Sequence, residues 1–179
     1  MADGLVSHFR AMARNNAWSN HRLLAACARL STAELSAGRA GFFPSILLTL
    51  NHILTVDRYY QDALSGEPAP EAPPPFAELV PLEAAQQAAD RRLMAFCDRL
   101  DAAALGRAVT LVRPGRTAPP ERVRDVLAHL FLHQIHHRGQ LHAMLSGTSV
   151  PPPQLDEFFL EDDRERRAPD LAAMRLKQG

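Results

Sequence analysis

Between the paired prolines Pro119 and Pro120 and the glycine at 147, the apolar residues Val123, Leu127, Leu130, Leu141 and Leu145 fall on one helical stripe. The spacing predicts a helix of roughly seven turns, with the prolines in its first turn, Glu121 at its positive end and Gly147 closing it. A rod on the order of 40 Å long buries such a stripe only against other long helices, so the rest of the chain must supply them.

Three further segments do. In the first thirty residues Leu5, Phe9, Met12, Asn16, Asn20, Leu23, Cys27 and Leu30 recur at three- and four-residue steps, the mark of one buried helical face. Asn16 and Asn20 interrupt it with amides that need partners, which predicts a polar pocket in the core or hydrogen bonds across the helices. Trp18 lies off the stripe, where a flank, a subunit contact or partial exposure is expected. Residues 31–43 read as a connection holding one short turn. A second helix is predicted from near Pro44. It carries one face of Ile46, Leu50, Ile53, Tyr60 and Leu64 and another of Leu48, His52, Val56 and Tyr59, so it is apolar nearly all round and central. Residues 66–81 contain six prolines and read as a linker that crosses the helices in extended form. Leu82, Ala85, Ala89, Leu93, Phe96 and Leu100 then mark a third helix, with small residues that allow close approach. Residues 108–112 and the Pro114-Gly115 turn predict a short extended ribbon ahead of the fourth helix.

The 179 residues suffice for one core without staples. The two cysteines, Cys27 and Cys97, form no CxxC and sit in helical patterns, which predicts reduced, buried thiols. Acidic and basic residues balance at 20 each, with no basic run interleaved with aromatics, which argues against a nucleic-acid partner. Without a signal-like N-terminus or an uninterrupted apolar span, no membrane partner is expected, and the default location is cytoplasmic. After Pro151-Pro152-Pro153, Phe158, Phe159 and Leu160 predict a short segment docking on the bundle, and Glu161 to Arg167 form a charged run. One bundle over residues 1–160 with a charged C-terminal extension over 161–179 is the expected organisation.

Four histidines, His129, His133, His136 and His137, fall within nine residues of the fourth helix. With Val123 at zero, helical geometry puts the leucine stripe at roughly −20° to 40°, His137 near ~320°, His133 near ~280°, His129 near ~240° and His136 near ~220°. The HxxxH pair His133 and His137 therefore lies closest to the core and is the best-placed grip for one metal ion. The third ligand must come from another inward-facing helix, and His52 on the central helix is the candidate. His8, His21 and His142 have no companion at ligand spacing. Gln134 follows His133, so the glutamate of an HExxH hydrolase is missing.

The chain resembles the DinB family of metalloenzymes, whose relatives include bacillithiol transferases and mycothiol-dependent maleylpyruvate isomerase domains. The likeness rests on Ala13-Arg14-Asn15-Asn16-Ala17-Trp18-Ser19-Asn20 with Arg22-Leu23-Leu24, on Leu50-Asn51-His52-Ile53-Leu54 with Asp57-Arg58, and on His129 to Gln140, similar to HxxNHxxHHRGQ. It implies an all-α, four-helix bundle with long connections, often a homodimer. It also implies a three-histidine metal site which, position by position, is His52, His133 and His137. Two positions depart: Asn15 stands where the family often has Tyr, and Leu132 where it often has Asn, so a hydrogen bond outside the ligand shell is expected to be lost.

Three neutral imidazoles leave a coordination position open, as in catalytic zinc sites, and nickel or iron accepts the same ligands. The resemblance favours a metal-dependent thiol transferase or thiol-dependent isomerase acting on a small-molecule thiol and an electrophilic substrate. The alternative is a non-catalytic, dimeric metal-binding stress-response protein. His129, His136 and Arg138 are expected either to support the ligands or face substrate, or else to lie in solvent or bind their neighbours, and Tyr59 either to line the cavity or to pack in the core. No nucleophile can be named.

Overall fold

The computed structural model describes residues 2–67, 73–112 and 119–176. Along the chain run α1 (Ala2–Cys27), α2 (Thr32–Ser36), α3 (Ile46–Ser65), α4 (Leu79–Asp98), α5 (Ala102–Gly106), β1 (Ala108–Val109), β2 (Glu121–Arg122), α6 (Val123–Leu145), a 3-10 turn (Glu161–Asp163) and α7 (Arg164–Ala173). The protein is all-α apart from that small ribbon, and α1, α3, α4 and α6 form the bundle.

Local chemistry sets the helix ends. Ser45 caps α3 by accepting the Leu48 N–H at 3.2 Å. Gly66 ends it in the left-handed region at φ 73°, where Glu67 N–H reaches back to the Asp62 carbonyl. Pro81 falls inside the first turn of α4, where its missing N–H costs nothing, so the proline linker is shorter than expected. Part of that linker, residues 68–72, and the Pro114-Gly115 turn lie outside the described residues.

The start of α6 differs from expectation. Glu121 and Arg122 pair antiparallel with Val109 and Ala108, so their backbone belongs to the ribbon and the helix begins at Val123. Pro119 and Pro120 precede that ribbon and take no part in the first turn. Cross-strand hydrogen bonds outcompete the N-terminal preference of proline once residues 108–109 lie alongside.

Buried apolar residues fall into two groups. One gathers Leu23, Leu24, Ile46, Leu50, Leu82, Leu141 and Leu145, and the other Phe9, Ala13, Leu64, Leu93, Leu127 and Leu130. The order in which each helix visits the two groups makes α1 and α6 run one way and α3 and α4 the other. The parallel pair α3 and α4 explains the long connection between them, since a tight turn joins only antiparallel neighbours.

Trp18 lies on a flank of the bundle, one of the places expected for it, and the C-terminal segment buries it there. It is 0% exposed, with its ring 5.5 Å from Phe158 and its Nε1–H donating to Asp170 at 3.1 Å. Arg22 lies over the same ring and binds Asp170 at 2.7 Å, while Leu171 is buried. Helix α7 thus covers a flank of α1 that the stripe of a four-helix bundle leaves open. Among the described residues no helix is long and apolar enough to cross a membrane. Cys27 and Cys97 are free and buried, and burial pushes both thiols up to about 12.

Candidate metal centre

Helix α6 presents His133 and His137 one turn apart, and antiparallel α3 brings His52 against them. His52 Nε2 lies 3.1 Å from His133 Nε2 and 3.1 Å from His137 Nε2. One proton on His52 Nε2 would serve two neighbouring nitrogens at once, whereas a cation among the three would satisfy every lone pair. One ligand atom from each residue can be chosen so that all lie within 4.8 Å of one another, and the group could hold a metal ion.

The electrostatics match. Burial, then repulsion from His137, lowers His52 to about 4. His133 falls to about 3 through burial and the surrounding histidines. Burial also lowers His137, partly offset by Gln140. All three are neutral near pH 7, the form that binds metals. His137 Nδ1–H donates to Gln140 Oε1 at 2.8 Å, which leaves Nε2 free to face the other histidines. Gln140 Nε2 in turn donates to His136 Nε2 at 3.1 Å, so one amide is held from both ends. His133 Nδ1 is buried and has no hydrogen-bond partner among the described residues.

The structure brings His52, His133 and His137 together and keeps the remaining candidates apart. His136 is exposed and joins the cluster only through Gln140 and a ring contact with His137. His129 is exposed and packs edge-on against Tyr60. Tyr59 spends its hydroxyl on the Val112 carbonyl at 3.0 Å. Leu132 points to solvent.

Arg138 is not in solvent and binds its neighbours, one of the roles expected for it. It is buried midway along the bundle, where Nη1 donates to the side-chain oxygens of Asn16, Asn20 and Gln134. Gln134 donates to Asp57, as does Gln86 at 2.8 Å, and Asp90 accepts from Asn16, Asn20 and Gln86. All four bundle helices contribute to this layer, which separates the two apolar groups. Burial raises both carboxyls, and Asp90 adds to the rise of Asp57, which reaches about 7. The polar pocket expected around Asn16 and Asn20 exists. Its acidic members leave no mark on the helical stripes, although Gln134 and Arg138 each directly follow one of the three histidines on α6.

Phe43 borders the cluster, its ring centroid 4.2 Å from that of His52 and 5.8 Å from that of His137. A cavity of about 590 Å³ between α1, α4 and the end of α7 is lined by His21, Gln87, Asp90 and Arg91 and contains none of the three histidines.

The model of the DinB family matches residues 2–168. No curated protein matches the chain.

Proposed function

The chain belongs to the DinB family, and from that premise we propose that His52, His133 and His137 hold a divalent transition metal, zinc or nickel by preference and iron as a third choice. The convergence of three neutral Nε2 atoms carries this reading. We further propose that the protein is a metal-dependent thiol transferase or thiol-dependent isomerase. A bound ion with an open position lowers the pKa of a thiol or water placed there. In transfer, the thiolate sulfur forms a bond to an electrophilic carbon while a leaving group departs with its electron pair, and the thiol proton passes to solvent. Gln140 fixes the tautomer of His137, and His129 and His136 give the surroundings a polar side. Cys27 and Cys97 are too buried and too weakly acidic to supply the nucleophile, so the thiol comes from outside. A cytoplasmic, reducing setting suits such a co-substrate.

The test is metal analysis of untagged protein, followed by assays with low-molecular-weight thiols and electrophilic acceptors. About one equivalent of metal and metal-dependent turnover lost in His133→Ala support the enzyme. Less than about half an equivalent after reloading refutes the site. The second reading, a non-catalytic metal-binding protein, follows from the ligands joining α3 to α6. It gains if His133→Ala melts earlier and no substrate turns over. The homodimer is part of either reading. Leu132 (67% exposed) and Ile135 (50% exposed) offer it an apolar surface on α6, and sedimentation of Leu132→Glu would separate the copies.

A further inference from the structure

The histidine cluster has two unlike borders. His129 and His136 make one side polar, whereas the other is made by the segment that leads into α3. There Phe43 packs on His52, and Phe42 packs edge-on against Phe43 with centroids 5.0 Å apart. Phe42 is nonetheless 80% exposed, and Leu48, one turn before His52 on the same side of α3, is 41% exposed.

The segment is braced rather than loose. Arg39 N–H donates to the Pro44 carbonyl at 2.9 Å, and the Arg39 guanidinium binds the carbonyls of Gly147 and Glu34. Gly41 lies so close to α6 that a Cβ there would come within 2.5 Å of Met144 Cε. Two phenyl rings are thus held beside the ligands by contacts that leave one of them almost bare.

We propose that Phe42 and Phe43 form an aromatic subsite next to the metal, selecting substrates that carry a flat, apolar, preferably aromatic group a few bonds from the atom that meets the metal. The proposal rests on the metal and thiol reading above. Aromatic rings stack or meet edge to face with a gain beyond simple burial, and the exposed Phe42 surface is available to a second ring. Continuity with the histidines points to a small molecule as occupant. Phe43 touches two of the three ligands, so a group bound at the metal and a ring lying on Phe43 fit one short molecule.

The experiment uses the full chain reconstituted with cobalt(II) and titrated with 2-phenylethanethiol or ethanethiol, which share a head group and differ by one ring. Sulfur-to-cobalt absorption reports binding, and cobalt content is measured separately. Wild type is expected to favour the phenyl compound by about tenfold. That ratio should fall to about threefold or less in Phe42→Ala and in Phe43→Leu. An unchanged ratio in both variants, or equal affinities in wild type, overturns the subsite while leaving the metal reading intact. Failure to take up cobalt, or no sulfur band with either thiol, overturns the metal and thiol reading and the subsite with it. Loss of a dimer in Phe42→Ala by sedimentation assigns the patch to a second copy and overturns the proposal.

Discussion

Two polar clusters share helices α3 and α6 and have opposite character. The layer of Asp57, Asp90, Arg138, Asn16, Asn20, Gln86 and Gln134 is buried and contains both signs of charge, so it supplies most of its own partners. The trio of His52, His133 and His137 is of one kind, uncharged and only partly covered, and its lone pairs face one another. A polar cluster that is complete in itself ties helices together. One that gathers acceptors around a common point could hold a cation. The contrast separates structure from function more sharply than burial does, since His137 is also buried.

Arg138→Met should break the contrast at its strongest point. Two buried carboxylates lose their cation, at an expected cost of about 3–5 kcal/mol near pH 7 in urea unfolding. The loss should shrink toward pH 5 as Asp57 and Asp90 take up protons. A variant as stable as wild type would show that the layer is not structural.

His133→Ala tests the other side. Bound metal should drop from about one equivalent to below about a tenth by elemental analysis, while the apo fold changes by less than about 1 kcal/mol. Comparable metal content in the variant would remove His133 from the site.

Gln140→Leu probes the support of one ligand. Loss of the acceptor for His137 Nδ1–H should weaken metal binding by roughly 10- to 100-fold, measured by competition with a chelator. A smaller change would mean that packing alone orients the ring.

The clusters also differ in a pair of opposed pH dependences in the apo protein. His52 and His133 stay neutral until about 4 and about 3 in the fold but protonate at 6.5 otherwise. The unfolded chain therefore binds more protons below that value, and these histidines make stability fall as pH drops from 6.5 toward 4. Asp57 has the opposite sign. Its raised carboxyl holds a proton that the unfolded chain has already released above 3.8, so its contribution is present at low pH and lost as pH rises through about 7. Replacing His52 and His133 with Phe should flatten the acid-side fall. An unaltered slope in unfolding curves between pH 4.5 and 6.5 would contradict the assigned protonation states.

Much of the fold and of the histidine site is legible in the sequence. The leucine stripe of α6 and the angular order of its histidines separated His133 and His137 from His129 and His136, because helical angle is a local property. His52 followed from its place on an apolar helix and from the family's motif. Asn16 and Asn20 announced a polar layer by interrupting a stripe. Its other members stayed hidden, since Asp57, Asp90 and Gln86 look like ordinary surface residues until three helices close over them. The sequence leaves Trp18 open between a flank, a subunit contact and partial exposure for the same reason, because the covering Phe158 and Asp170 lie 140 or more positions away. The prolines before α6 misled because a two-residue ribbon claimed the positions that a helix start would otherwise take.

The sequence by itself therefore determined the helices, the family and the residues able to bind a metal, because periodicity and ligand type are written in short stretches of chain. Only the tertiary structure decided that three Nε2 atoms meet, that Arg138 belongs to the core and that Phe42 and Phe43 border the three histidines. Each of those depends on the rotation and antiparallel approach of helices distant in sequence, and these are set by packing the whole core at once.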